Sequence, residues 1–167
     1  VRDLETHLII DLDNFRVKQE SFSYRFPTIF IFDSKYPDWK VVVAVGVSRC
    51  CSHQWVRHTT LNFNQQSHRY TKISSFTLPK TLLFEKTKIG MKILKQLKNF
   101  YDLYVALIEK NQVKKEDARF LAPQSSSTNL IVSGPLFVWK DFIQKRKIPQ
   151  AQTEIREIAT ILEEELC

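Results

Sequence analysis

This sequence predicts an α+β fold, with strands concentrated early in the chain and helices late. Three observations carry the prediction. The unbroken run Val41-Val42-Val43-Ala44-Val45 reads as a strand buried on both faces. The apolar residues between positions 82 and 110, among them Ile93, Leu94, Leu97, Tyr101, Tyr104 and Ile108, recur at largely helical spacing. Near the C-terminus, Ile155, Ile158, Ile161 and Leu162 fall on one helical face.

Taken in order, residues 6–11 and 24–32 are short apolar or β-branched runs bounded by charged residues and proline, which predicts two strands. Residues 40–47 form the strongest strand. Ser48 can then cap a helix that starts near Arg49 and delivers Gln54 and Arg57 to its C-terminal end. A loop is expected to about Tyr70, followed by a strand over 70–77 before Pro79. The segment 82–110 reads as one long amphipathic helix, with Gly90 as its natural breaking point. Residues 114–121 read as a short helix that carries Arg119 and ends before Pro123, where the residue preceding proline leaves helical geometry. Residues 125–133 are Ser-rich and β-branched, a further strand. Pro135 suits the first turn of a helix to about Lys145, and Pro149 opens the last helix over 150–165. No repeat, low-complexity tract or linker interrupts the chain.

At 167 residues the chain suits one domain, 1–167. The formal charge of +7 favours an anionic partner, whether nucleotide, cofactor phosphate or nucleic acid. With glycine only at positions 46, 90 and 134, neither a Gly-rich dinucleotide turn nor a phosphate-cradling loop can be assembled. Arginines and side-chain amides must therefore hold any nucleotide. Cys50, Cys51 and Cys167 give no paired-cysteine metal pattern and no even disulfide framework, so thiols in a reducing compartment and no metal site are expected. Apolar runs are much shorter than a bilayer requires and no leader opens the chain, so the expectation is a cytoplasmic protein without a membrane partner.

The densest chemistry lies between His53 and Tyr70. Gln54 and Arg57 stand three apart on one helical face, and Asn62, Asn64, Gln65, Gln66, Ser67, His68 and Arg69 follow closely. Burying so many donors and acceptors unpaired would cost roughly 1–3 kcal/mol each, whereas a polar ligand would satisfy them. The arginines that could join them are scattered along the chain: Arg57, Arg69, Arg119 and Arg146. A guanidinium pairs bidentately with phosphate or with a uracil edge and stays charged at every accessible pH.

This stretch resembles the signature of the flavin-dependent thymidylate synthases, an Arg-His-Arg triplet followed by seven residues and a serine, with Arg-Tyr beyond. Arg57, His58, Asn64, Ser67, Arg69 and Tyr70 match in register. Ala118-Arg119, Pro123 and residues 146–157, with Ala151-Gln152 and Glu154-Ile155-Arg156-Glu157, resemble the family's second and third blocks in the right order. The resemblance implies a central, mainly antiparallel sheet flanked by long helices, and an enzyme that reductively methylates dUMP to dTMP. It would use methylenetetrahydrofolate, NADPH and FAD, with no enzyme nucleophile. It further implies that dUMP is held by Gln54, Arg57, Gln65, Ser67, Arg69, Arg119 and Arg146, and FAD by Arg57, His58, Thr59, Asn64 and Gln65. Arg146 has the catalytic role of drawing charge onto the pyrimidine ring. Family members are homotetramers whose sites draw on several subunits, which puts the long helix at an interface.

The sequence departs from that pattern mainly on the flavin side. Thr59 stands in place of the triplet's second arginine, Gln65 in place of a usual glutamate, and Asn62 in place of a common serine. Pro135 and Phe137 lie where the family tends to place Asn and Arg, and Gln150 where it has His. Two alternatives follow: a pyrimidine-nucleotide-binding relative that has lost or altered its use of flavin, and a basic nucleic-acid-binding module. The second is disfavoured, because the positive residues are spread along the chain and no nucleic-acid motif occurs.

Overall fold

The computed structural model describes residues 1–12, 24–83 and 87–167. Strands β1 (Arg2–Asp3), β4 (Thr28–Asp33), β5 (Trp39–Ser48), β6 (Asn62–Gln65) and β8 (Ser127–Pro135) form one antiparallel sheet in the order β1-β4-β5-β8-β6. A second antiparallel sheet has the order β3-β2-β7, from Tyr24–Arg25, His7–Asp11 and Ser75–Pro79. Helices α1 (Arg49–Trp55), α5 (Leu136–Arg146) and α6 (Thr153–Leu166) pack against the five-stranded sheet. Helices α2 (Lys80–Leu83), α3 (Thr87–Glu109) and α4 (Lys115–Ala118) accompany the other. The fold is thus the expected α+β arrangement, with its antiparallel strands divided between two sheets.

Several expected boundaries move, each for a local reason. The run 24–32 is two strands, because Pro27 cannot donate to a ladder: Tyr24 and Arg25 pair with β2, whereas β4 starts after the proline and pairs with β1 and β5. The loop expected before Tyr70 contains β6, whose Asn62 to Gln65 pair with Ser133 to Leu130. The strand expected over 70–77 starts at Ser75, since Ser67 first organises a turn: its carbonyl accepts from Tyr70 N, Thr71 N and Thr71 Oγ1. The helix expected over 82–110 is preceded by a separate α2, and Gly90 lies inside α3 instead of breaking it. A Cβ there would come within 2.5 Å of the Leu83 carbonyl oxygen, so glycine permits the close approach of α2. The last helix begins at Thr153 rather than Gln150, because Gln152 holds an extended backbone (φ −57°, ψ 142°).

β5 is not buried on both faces. Val42, Ala44 and Val47 are fully buried under α1, α5 and α6, while Val41, Val43 and Val45 point the other way and are half-exposed. One irregularity in β5 positions the site. Gly46 has φ +74° within a register shift between Ala44 and Val47, and a Cβ there would strike Ile9. Asn129 Oδ1 accepts from its N–H at 2.8 Å, and Thr77 Oγ1 donates to its carbonyl at 2.6 Å, which joins the two sheets at the bulge. The strand then ends at Ser48, which caps α1 as expected: Ser48 Oγ accepts from Cys51 N at 2.9 Å.

Candidate functional site

α1 is short, and three of its faces have different fates. Cys51, Ser52 and Trp55 enter the core, where the Trp55 ring packs on Phe142 at 5.5 Å and on Trp139 at 6.4 Å. Arg49 and His53 face one depression, while Gln54, one turn after Cys50, turns its side chain to Gln152, whose Oε1 accepts from Gln54 Nε2 and from the Cys50 thiol.

Arg57, His58, Thr59, Thr60, Lys145 and Arg146 line an open depression of about 510 Å³ together with Asp141. Arg146 lies in the last turn of α5. Its Nε donates to His58 Nε2 at 2.9 Å and its Nη2 to the Gln54 carbonyl at 2.9 Å. Phe142, one turn earlier, places its ring edge-on to His58 at 4.9 Å. Burial first, then Arg146 and Lys145, lower the His58 pKa, with Asp141 opposing. Burial first and Arg57 second also lower that of Arg146, with Cys51 opposing. Asp141 is committed to Lys145 at 2.7 Å. Among the described residues Arg57 has no hydrogen-bond or ion-pair partner, so three cations here face one carboxylate.

A second depression, of about 440 Å³, is lined by Arg49, His53, His68, Arg119, Phe120 and Gln124, among others. Arg49 donates to His53 Nε2 at 3.3 Å, and burial, then Arg119, lower its pKa. Buried His68 donates from Nε2 to the Ser127 carbonyl at 3.1 Å. Its pKa is lowered by burial and by Arg49, with the Ser127 bond opposing and Arg119 adding a smaller push. Arg119 Nε donates to the Glu116 carbonyl at 3.3 Å, while Arg69 pairs with the Glu116 carboxylate through Nε at 3.1 Å and Nη2 at 2.9 Å. Ser67 Oγ accepts from Arg69 N at 3.3 Å, which places serine and arginine on the same turn.

The sequence-predicted residues therefore sort into two groups within one chain. Arg57, His58, Thr59 and Arg146 line the first depression, which Gln54 adjoins through its carbonyl; Arg119 lines the second, with Arg69 joined to it through Glu116 and Ser67 on the turn that carries Arg69. β6 lies between them in the chain, with Asn64 exposed and Gln65 half-buried. Gln65 Nε2 donates to Ser52 Oγ at 3.1 Å and Thr128 Oγ1 at 3.2 Å, which leaves its carbonyl for a ligand. Arg49 was not anticipated, and His53 and His68 entered only as members of the polar stretch, without a named role. The spacing of Arg49 and His53, i and i+4 on a predicted helix, is the signal that joins them.

The site is thus a cationic depression, two guanidiniums and a lysine with one carboxylate, on an α+β protein that has no glycine-rich loop. The profile of the thymidylate synthase complementing protein family matches residues 39–167. The chain belongs to this family. It is 40% identical over 126 residues to a flavin-dependent thymidylate synthase of Pyrococcus horikoshii, covering 72% of this chain and 51% of that protein. The corresponding protein of Thermococcus onnurineus is 37% identical over 118 residues, covering 68% and 48%. The chain thus spans about half the length of these relatives. A crystal structure of thymidylate synthase X from Helicobacter pylori, with FAD and dUMP, shares the fold with a TM-score of 0.61 at 22% identity. That match covers 77% of this chain and 67% of that one.

Proposed function

We propose that this chain acts as a flavin-dependent thymidylate synthase, converting dUMP to dTMP in the cytoplasm with methylenetetrahydrofolate as carbon donor and NADPH as reductant. The observation that carries the reading is the Arg57–Arg146 pair beside Gln54, short of carboxylates, in a chain whose family match covers both ends of that site. Arg146 spends two of its five N–H groups on His58 and Gln54, so three stay available to a pyrimidine edge. A cation held this firmly beside the ring stabilises negative charge developing there and requires no reorganisation at the moment of reaction. Cys51 does not act as nucleophile: it is fully buried, and burial pushes its thiol well above its ordinary pKa.

Arg69, Arg119 and Ser67, and with them Arg49, complete the phosphate side of the site from a second copy of the chain, because within one copy Arg49 and Arg119 line a different depression and Arg69 joins Arg119 through Glu116. A homo-oligomer, tetrameric by the family resemblance, follows from that division. Among the described residues no helix is long and apolar enough to cross a membrane.

The donor set also fits a phosphate-bearing cofactor. Arg57, His58 through Nδ1, Thr59, Asn64 and the Gln65 carbonyl would hold FAD. When bound, FAD supplies the transfer of reducing equivalents. Thr59, Pro135 and the exposed Phe137 favour a second reading, a dUMP-binding relative with altered flavin use, since the last two offer no side-chain donor. Purified protein with a flavin absorbance band and dUMP-dependent dTMP formation supports the first reading. Colourless protein that binds dUMP and cannot be reconstituted with FAD supports the second, and protein that binds neither overturns both.

A further inference from the structure

Only 6% of His68 is exposed, yet it lines the depression that also holds Arg49, His53 and Arg119. Its Nε2 lies 3.1 Å from the Ser127 carbonyl of β8. A carbonyl can only accept, so the neutral ring carries its proton on Nε2 and leaves Nδ1 bare. Among the described residues Nδ1 has no hydrogen-bond partner. Nor is it sealed in the core, where the one unpartnered side-chain nitrogen or oxygen among those residues is Trp55 Nε1. A bare acceptor therefore meets the depression.

The charged groups around that acceptor are cations or are already committed. Arg49 from α1 and Arg119 from the turn after α4 both act on the ring. His53 accepts from Arg49 through Nε2, so its own proton sits on Nδ1 and already points a donor away from Arg49. Arg69, next to His68 in the chain, spends its guanidinium on Glu116. Among the described residues no carboxylate lines the depression. Two guanidiniums without a carboxylate suit a phosphate, but a phosphate oxygen against bare Nδ1 would set acceptor against acceptor. One proton removes the conflict, because it makes Nδ1 a donor and His68 a third cation. In the free protein burial, then Arg49, hold the ring neutral; a dianion between the same groups pulls the other way.

We propose that His68 contacts the phosphate held in this depression through Nδ1 and takes up one proton from solvent as it does so. Phosphate dianion, neutral imidazole and one proton become a dianion–imidazolium pair, and no covalent bond to the phosphate forms or breaks. His68 is not one of the signature residues, although Ser67, Arg69 and Tyr70 surround it in the chain. The inference rests on the reading of this depression as the phosphate side of the nucleotide site, and deepens it by making phosphate binding proton-linked. A phosphate monoester has its second pKa near about 6 and is a dianion above pH 7. Between pH 7 and 8 affinity should therefore fall as pH rises, by up to about tenfold.

The test is calorimetric titration with dUMP, and separately with inorganic phosphate, in buffers of different ionisation heat at about pH 7.5, which counts the protons taken up. Wild type, His68→Gln and His53→Gln are compared, with thermal melting to show that each is folded. Glutamine keeps an N–H for the Ser127 carbonyl and cannot accept a proton. Wild type and His53→Gln should take up about one proton per dUMP bound, and His68→Gln about none. Nitrogen-15 spectra of the wild type supply a check that needs no variant, since His68 Nδ1 should pass from bare to protonated on saturation with dUMP. A ring that stays neutral, binding without proton uptake, or uptake that survives in His68→Gln overturns this inference while leaving the nucleotide reading intact. Uptake with inorganic phosphate but no binding of dUMP supports it and overturns the nucleotide reading. Protein that binds neither overturns both.

Discussion

His58 accepts from Arg146 through Nε2 at 2.9 Å, and the same guanidinium reaches the Gln54 carbonyl at 2.9 Å. Two acceptors from one loop-and-helix end thus aim a cation from the end of α5, before any ligand arrives. Lysine has the charge but not the planar fork that spans both acceptors. Arg146→Ala should weaken dUMP binding about 100-fold and abolish turnover, and Arg146→Lys should recover only about tenfold of that binding. Calorimetry and dTMP formation measure this, with the oligomer's mass expected to be unchanged.

The same bond dictates a tautomer. For Nε2 to accept, His58 must be neutral and carry its proton on Nδ1. Burial and the neighbouring cations hold its pKa below the ordinary 6.5. The Arg146 contact is therefore intact at pH 7 and lost only as pH falls through the depressed value. Nitrogen-15 imidazole shifts should report the Nδ1–H tautomer at pH 7 and a titration midpoint below 6.5; a midpoint at or above 6.5 would refute the contact.

Away from the depression, His7 Nε2 and Glu154 Oε2 face each other at 3.9 Å, both buried. Burial lowers His7 to about 4 from 6.5, so its contribution to stability is complete above pH 6.5 and is lost as pH falls toward 4. Burial raises Glu154 from 4.5 to about 7 against the two Ser48 hydrogen bonds, with Glu157 adding to the rise. Its contribution is complete below pH 4.5 and is lost as pH rises through 7. Thr6 Oγ1 lies against His7 Nδ1 at 2.8 Å, and buried Cys51 adjoins Glu154. Between pH 4.5 and 6.5 the two slopes oppose each other. Denaturant titrations should show the wild-type contribution nearly flat there. Glu154→Gln should lose and His7→Asn should gain roughly 2–3 kcal/mol as pH falls across that window.

The helix that carries this site was legible from local chemistry. Ser48 before Arg49 is a capping signal, and the structure uses it. β6 was not legible, because Asn62, Asn64, Gln65 and Gln66 look like a loop when only polarity is read. Pairing with β8, a partner far along the chain, makes them a strand. The arginines were identified individually, but their division between two depressions was not, since sequence order does not encode which way a helix end and a distant turn face. Gln152 was seen only as part of a matching block. Its contact with Gln54 depends on the clamp between Ser48 and Glu154, two residues more than one hundred positions apart.

That division yields a prediction that a single-copy site cannot meet. If each site takes Arg146 from one copy and Arg119 from another, Arg146→Ala and Arg119→Ala are each inactive alone. Reversibly dissociated and reassembled at equal concentration, they pair at random. About a quarter of the sites should then combine two intact contributions, and dTMP formation should return to about a quarter of wild type. A site contained in one chain places both defects in separate, permanently inactive copies, and mixing restores nothing. Recovery that depends on subunit exchange, measured against a mixture kept from exchanging, distinguishes these outcomes.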